Sequence, residues 1–160
     1  MNNDDQLLNS LMIAFVGQMD SAMKIANKVS EHSNENELSP DSLIAGLVYR
    51  LMVPMSNEEI KQSLEIANDI VNKETSEEEN SEEENLEDDV IDHDFNQTIH
   101  NSSYQDHSTR VLKRNNCTCP LCIKVRECFD NFKQHETNDK LALMFKDAIQ
   151  NACDRHNITF

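Results

Sequence analysis

Cys117-Thr118-Cys119-Pro120-Leu121-Cys122 and, near the C-terminus, Cys153-Asp154-Arg155-His156 bracket two amphipathic stretches. Their reading decides the fold of the second half of the chain. Leu121, Val125, Cys128, Phe129 and Phe132 recur at intervals of three and four, which sets them on one face of a helix. Gln134 to Asn138 interrupts that pattern. A second helix starts after Thr137 or Asn138, side chains that accept from the free N–H groups of a first turn, and Asp139 suits the positive end of the dipole. Its apolar stripe is Leu141, Met144, Phe145, Ala148, Ile149, Ala152 and Cys153. The turn lies midway between Cys122 and Cys153, so an antiparallel hairpin brings the two cysteine ends together.

That closure predicts a structural zinc site. Zinc takes four soft or borderline donors in a tetrahedron. A Cys-x-x-Cys at a helix start supplies two, because the free N–H groups there stabilise thiolates. Residues 153 and 156 share a helical face and supply two more. The expected set is therefore Cys119, Cys122, Cys153 and His156, with Cys117 as a substitute for one of them. Cys128 sits in the middle of the apolar stripe and reads as a small core residue. A disulfide framework fits less well, because five cysteines leave a thiol over and no secretion signal is visible.

A redox reading competes with the metal. Cys119-Pro120-Leu121-Cys122 resembles the Cys-Pro-Tyr-Cys motif of glutaredoxins. The resemblance implies thiol–disulfide exchange, with Cys119 as nucleophile and Cys122 as resolving thiol. That family carries its motif after a strand of a thioredoxin-like sheet, whereas an acidic, low-complexity tract precedes it here.

Toward the N-terminus the chain reads as helices. Two Gly, three Pro and no Trp leave few breaks, and runs of β-branched residues are scarce, so the fold class is all-α. A first helix runs from Asp4 or Asp5 to Glu31 with Leu8, Leu11, Phe15, Met19, Ala22, Ala26 and Val29 on its buried stripe. Leu7, Met12, Ile13 and Val16 widen the stripe to nearly the whole circumference of its first half, which means burial among several helices or a self-association surface. Ser39, Pro40 and Asp41 start a second helix that stops before Pro54. Ser56-Asn57-Glu58-Glu59 is a capping box for a third, with Ile60, Leu64, Ala67, Ile70 and Val71 inside. Residues 1–73 are thus expected to form a three-helix bundle, independent of the hairpin at 111–160. Met12, Met19, Met52 and Met55 read as core fillers, and His32 as a solvated loop residue.

Residues 74–110 are of another kind. They hold 13 acidic residues against 1 basic, so most of the net charge of −16 lies there. Self-repulsion and the lack of apolar residues predict a disordered acidic linker. It can act as a spacer or as an arm for a basic partner. Ser76 and Ser81 are each followed by three Glu and resemble the acid-directed sites of casein kinase 2, which implies phosphorylation there. Leu86, Val90, Ile91 and Phe95 offer a short docking motif, and His93, His100 and His107 stand without nearby thiols.

Residues 111–160 carry 8 basic and 6 acidic groups. Lys113, Arg114, Lys124 and Arg126 make a basic patch, so a nucleic-acid-associated regulator is a further alternative, although no exposed aromatic accompanies the patch. Leu7 to Gly17 is too short to span a bilayer and is preceded by acids where a signal peptide is basic, so a soluble, intracellular protein is expected. The Asn-rich helices, the Glu-Asn tract and the small Cys cluster together resemble small proteins encoded by amoeba-infecting giant viruses; the resemblance implies no activity. The first expectation is a non-enzymatic adaptor that binds a protein partner or itself through the N-terminal helices.

Overall fold

α1 (Asn3–His32), α2 (Pro40–Met52) and α3 (Asn57–Glu78) are present in a computed structural model that describes residues 3–78 and 108–160, the side chains of 74–78 excepted. The helix starts follow the expected capping chemistry. Ser39 Oγ accepts from the Ser42 N–H at 3.1 Å, and Pro40 occupies the first helical position where a missing N–H costs nothing. Ser56 and Glu59 exchange both capping-box bonds, the Glu59 carboxylate accepting from Ser56 N at 2.8 Å and Ser56 Oγ from Glu59 N at 3.3 Å. α3 runs past the expected boundary at 73 and carries Ser76 within its last turn; Ser81, the Leu86–Phe95 stretch and His93, His100 and His107 lie outside the described residues.

α1 and α2 touch through small residues. Ala22, Ala26 and Ala45 are fully buried, and Gly46 lies so close that a Cβ there would stand 2.2 Å from the Ala22 carbonyl oxygen and 3.0 Å from Ala26 Cβ. Backbone cannot yield as a flexible side chain does, so Gly46→Ala must push the two helices apart. The expected loss is about 2 kcal/mol, the middle of the overpacking range, read as a lower urea midpoint at unchanged slope.

The second part of the chain adds α4 (Pro120–Asn131) and α5 (Lys140–Arg155), capped by Cys119 and Asp139. Two short strands, β1 (Arg110–Val111) and β2 (Ile158–Thr159), pair in parallel, with Arg110 N donating to Asn157 O at 2.8 Å and Leu112 N to Thr159 O at 2.7 Å. Asn157, at φ 53°, makes the turn from α5 into β2, a left-handed conformation that Asn tolerates better than most residues. The described residues are otherwise helical or irregular, as expected of an all-α chain. None of their helices is long and apolar enough to cross a membrane.

Two expectations change at the level of packing. α4 and α5 do not build a hairpin apart from the rest: each packs against α2. One hydrophobic core holds Ile25, Val29, Ala45 and Val48 from the first part together with Leu112, Val125, Phe129, Phe132, Ile149 and Ile158 from the second. The bundle and the hairpin are therefore not independent. A stripe such as that of α4 can be satisfied by any apolar surface, because burial is non-directional.

Polar bonds fix how the two parts meet. Glu35, in the α1–α2 loop, accepts from Ser39 Oγ at 2.7 Å, Ser42 Oγ at 3.0 Å and Ser30 Oγ at 3.3 Å, and its second oxygen takes Lys113 Nζ at 3.0 Å. The Ser39 bond, then the Lys113 contact, lowers its pKa to about 2 against the opposing effect of burial. Asp41 receives a bidentate pair from Arg110 at 2.6 and 2.9 Å and the Lys113 N–H at 2.7 Å. Burial pushes the Asp41 carboxyl up, but these donors outweigh it and hold the pKa below the usual range. Residues 110–115 are thereby strapped across the corner where α1 ends and α2 begins.

Candidate metal centre

That strap decides which donors meet. It delivers the Cys117–Cys122 loop to the last turn of α1, where His32 is the final helical residue. His32 Nδ1 lies 3.3 Å from Cys119 Sγ, 3.3 Å from Cys122 Sγ and 3.8 Å from Cys117 Sγ. One donor atom from each of these four residues falls within 4.8 Å of all the others, close enough to hold a metal ion. Cys122 is buried, Cys117 and Cys119 are half-buried, and His32 faces solvent.

Local structure prepares the thiols. Cys119 is the N-cap of α4, and its sulfur accepts from the Cys122 N–H at 3.4 Å, while Cys117 Sγ accepts from Cys119 N at 3.5 Å. The Cys122 N–H at the open helix start is the main reason the Cys119 thiol is lowered to about 7. Burial pushes Cys122 the other way, to about 11. A metal ion bound among them would favour the thiolate of both.

A surrounding polar shell orients the loop. Asn115 Nδ2 reaches both Cys122 Sγ at 3.2 Å and Ser33 Oγ at 3.3 Å, tying the sulfur to the residue after α1. Arg126 Nη1 donates to the carbonyls of Asn115 at 2.9 Å and Cys117 at 2.8 Å. Such contacts hold first ligands in place and tune their basicity.

Of the residues expected from sequence, the structure brings together Cys119 and Cys122, with Cys117 as a full member and no longer a substitute. Cys153 and His156 are not part of the group. Cys153 points into the shared core at 1 % exposure, and His156 caps the exposed end of α5. The reason is the packing of α5 on α2, which turns the Cys153 stripe toward α2 and away from the start of α4. His32 is the nitrogen donor that lies beside the three sulfurs instead. Nothing local marks it as a ligand, because it lies 85 residues from Cys117 in sequence. The available hint is stoichiometric: three clustered thiols lack a fourth donor. Cys128 is buried in the core as expected.

The basic patch is also altered by its surroundings. Lys113 pairs with Glu35, Arg114 with Asp130 at 2.5 Å and Lys124 with Glu127 at 3.0 Å, while Arg126 is bound to the loop carbonyls. Each of the four groups already has an acceptor. Comparison with protein-family models, curated proteins and solved structures finds no match for this chain.

Proposed function

We propose that this is a non-enzymatic interaction protein whose two parts are clasped by a structural zinc ion on His32, Cys117, Cys119 and Cys122. One observation carries the metal assignment. A zinc ion with sulfur at about 2.3 Å and nitrogen at about 2.0–2.1 Å requires tetrahedral N···S edges of about 3.6 Å. The three edges from His32 Nδ1 measure 3.3, 3.3 and 3.8 Å and bracket that value. A three-thiol, one-imidazole donor set suits zinc and disfavours hard cations such as magnesium and calcium. Four protein donors fill the coordination shell, so no position is left for water or substrate. The clasp would join the end of α1 to the start of α4, adding metal-binding energy to the shared core.

The oxidoreductase alternative draws on one specific contrast, the Cys119 thiol lowered to about 7 beside a Cys122 thiol raised to about 11. That is the division expected of an attacking and a resolving thiol. Against it, the motif follows no strand of a thioredoxin-like sheet: the preceding described strand is the two-residue β1.

Native mass spectrometry of protein purified without chelator, combined with thiol counting, separates the two. One zinc per chain is expected, with every thiol protected; stripping the metal should expose Cys117 and Cys119 to alkylation, while Cys122, Cys128 and Cys153 stay shielded by burial. Protein without metal whose Cys119 alkylates freely would overturn the clasp and move the exchange assay to the front.

A further inference from the structure

The first half of α1 is apolar on more sides than the other described residues cover. Gly17 lies against Ser63 of α3, with a Cβ there standing 3.3 Å from the Ser63 carbonyl oxygen, and Ile13, one turn earlier, is half-buried on that face. Leu7, Leu8, Leu11, Met12 and Phe15 occupy other faces and remain 62, 60, 48, 44 and 62 % exposed. Leu8, Leu11, Met12 and Phe15 follow the three-and-four spacing of one stripe. Together the five side chains present roughly 500 Å² of apolar surface, near the top of what a monomer ordinarily leaves uncovered. From Gln6 to Met19 there is no charged residue, in a chain whose net charge is −16.

We infer that this stripe is a self-association face, and that its occupant is α1 of a second copy, docked antiparallel about a two-fold axis near Leu11 and Met12. The inference deepens the interaction reading above and rests on it, but not on the metal. Three features select a second copy. The face carries no charge, so it offers nothing to attract a charged partner and requires an equally uncharged helix, which α1 itself supplies. Two such stripes bring together on the order of 800 Å² of apolar area, and the flanking Leu7 of each copy raises this to about the 1,000 Å² threshold for a specific interface. A two-fold pairing matches the stripe with itself, setting Leu8 of one copy opposite Phe15 of the other. The antiparallel direction follows from charge: a parallel pair would stack Asp4 and Asp5 on their own copies and align the two helix dipoles, whereas the antiparallel pair separates them.

Sedimentation equilibrium of the full zinc-loaded chain across the micromolar range tests this. A monomer–dimer equilibrium is expected for the natural sequence. Phe15→Glu and Leu8→Glu, both at exposed positions, should each weaken it by on the order of 100-fold, with helicity and zinc content unchanged. Ile66→Glu, on α3 away from the Ser63, Ala67 and Val71 stripe that is buried, should leave it intact. A natural chain that stays monomeric, a Phe15→Glu variant that dimerises as before, or an Ile66→Glu variant that dissociates equally would overturn the assignment. Since mass and zinc content are read separately, failure of the dimer and failure of the clasp are distinguishable.

Discussion

Replacing His32 with alanine is expected to lower zinc affinity by on the order of 100-fold or more, while the same change at His156 leaves it unaltered. Outer-shell changes already cost about 10- to 100-fold in well-formed sites, so loss of one of the four donors proposed above should reach at least the upper end. The comparison is sharp because the two histidines differ only in tertiary placement. His32 Nδ1 sits within 3.8 Å of all three sulfurs, whereas His156 caps α5 at the surface. Competition of each purified variant against a chromogenic chelator measures the effect. Equal affinity in wild-type and His32→Ala protein, with a loss in His156→Ala, would restore the hairpin-closing site that the spacing of Cys153 and His156 suggests.

The second large effect is expected at Phe132. Its side chain is the bulkiest of those with no exposure, stacks on Phe160 at 4.4 Å between ring centroids and lies beneath Lys146 Nζ at 5.7 Å. Phe132→Ala should cost about 3–5 kcal/mol, against a total stability of about 5–15 kcal/mol for an ordinary domain. The location of the damage matters as much as its size. Phe132 belongs to the core that also contains Ile25, Val29 and Val48, so the loss should spread to α1 and α2. Hydrogen exchange reads this directly: amides near Val29 and near Ile149 should lose protection together. Undiminished protection in α1 and α2, with α4 and α5 opened, would mean that the two parts fold separately.

The two expectations share a physical root, because both depend on residues 110–115 being strapped to the α1–α2 corner. Asp41 and Glu35 gather Arg110, Lys113 and three serine hydroxyls at that point. The strap and the shared core together fix the Cys117 loop beside His32 and α4 and α5 on α2.

What the sequence by itself determined was set by short-range chemistry. The Ser39-Pro40 start of α2 and the Ser56–Glu59 capping box depend on neighbours within one turn, and both are present, while the cap of α5 falls on Asp139 and not on the expected Thr137 or Asn138. The core role of Cys128 was legible from the helical period in the same way, but the period also placed Leu8, Leu11 and Phe15 of α1 and Ile60, Leu64 and Ile70 of α3 inside, and all six are exposed. The proximity of Cys119 and Cys122 was legible because a Cys-x-x-Cys at a helix start places both thiols at one spot whatever the fold.

What only the tertiary structure decided was which surfaces meet. Periodicity shows that a helix has an apolar face but not what covers it. The stripe of α5 could face α4 or α2 at similar gain, because burial is non-directional and depends on area. Packing on α2 removed Cys153 and His156 from the site and made one core from two segments. The directional terms then chose the partner for the thiols: a bidentate Arg110–Asp41 pair and the Lys113–Glu35 contact, which join residues 69 and 78 positions apart, brought His32 to the sulfurs. No local pattern encodes such a meeting.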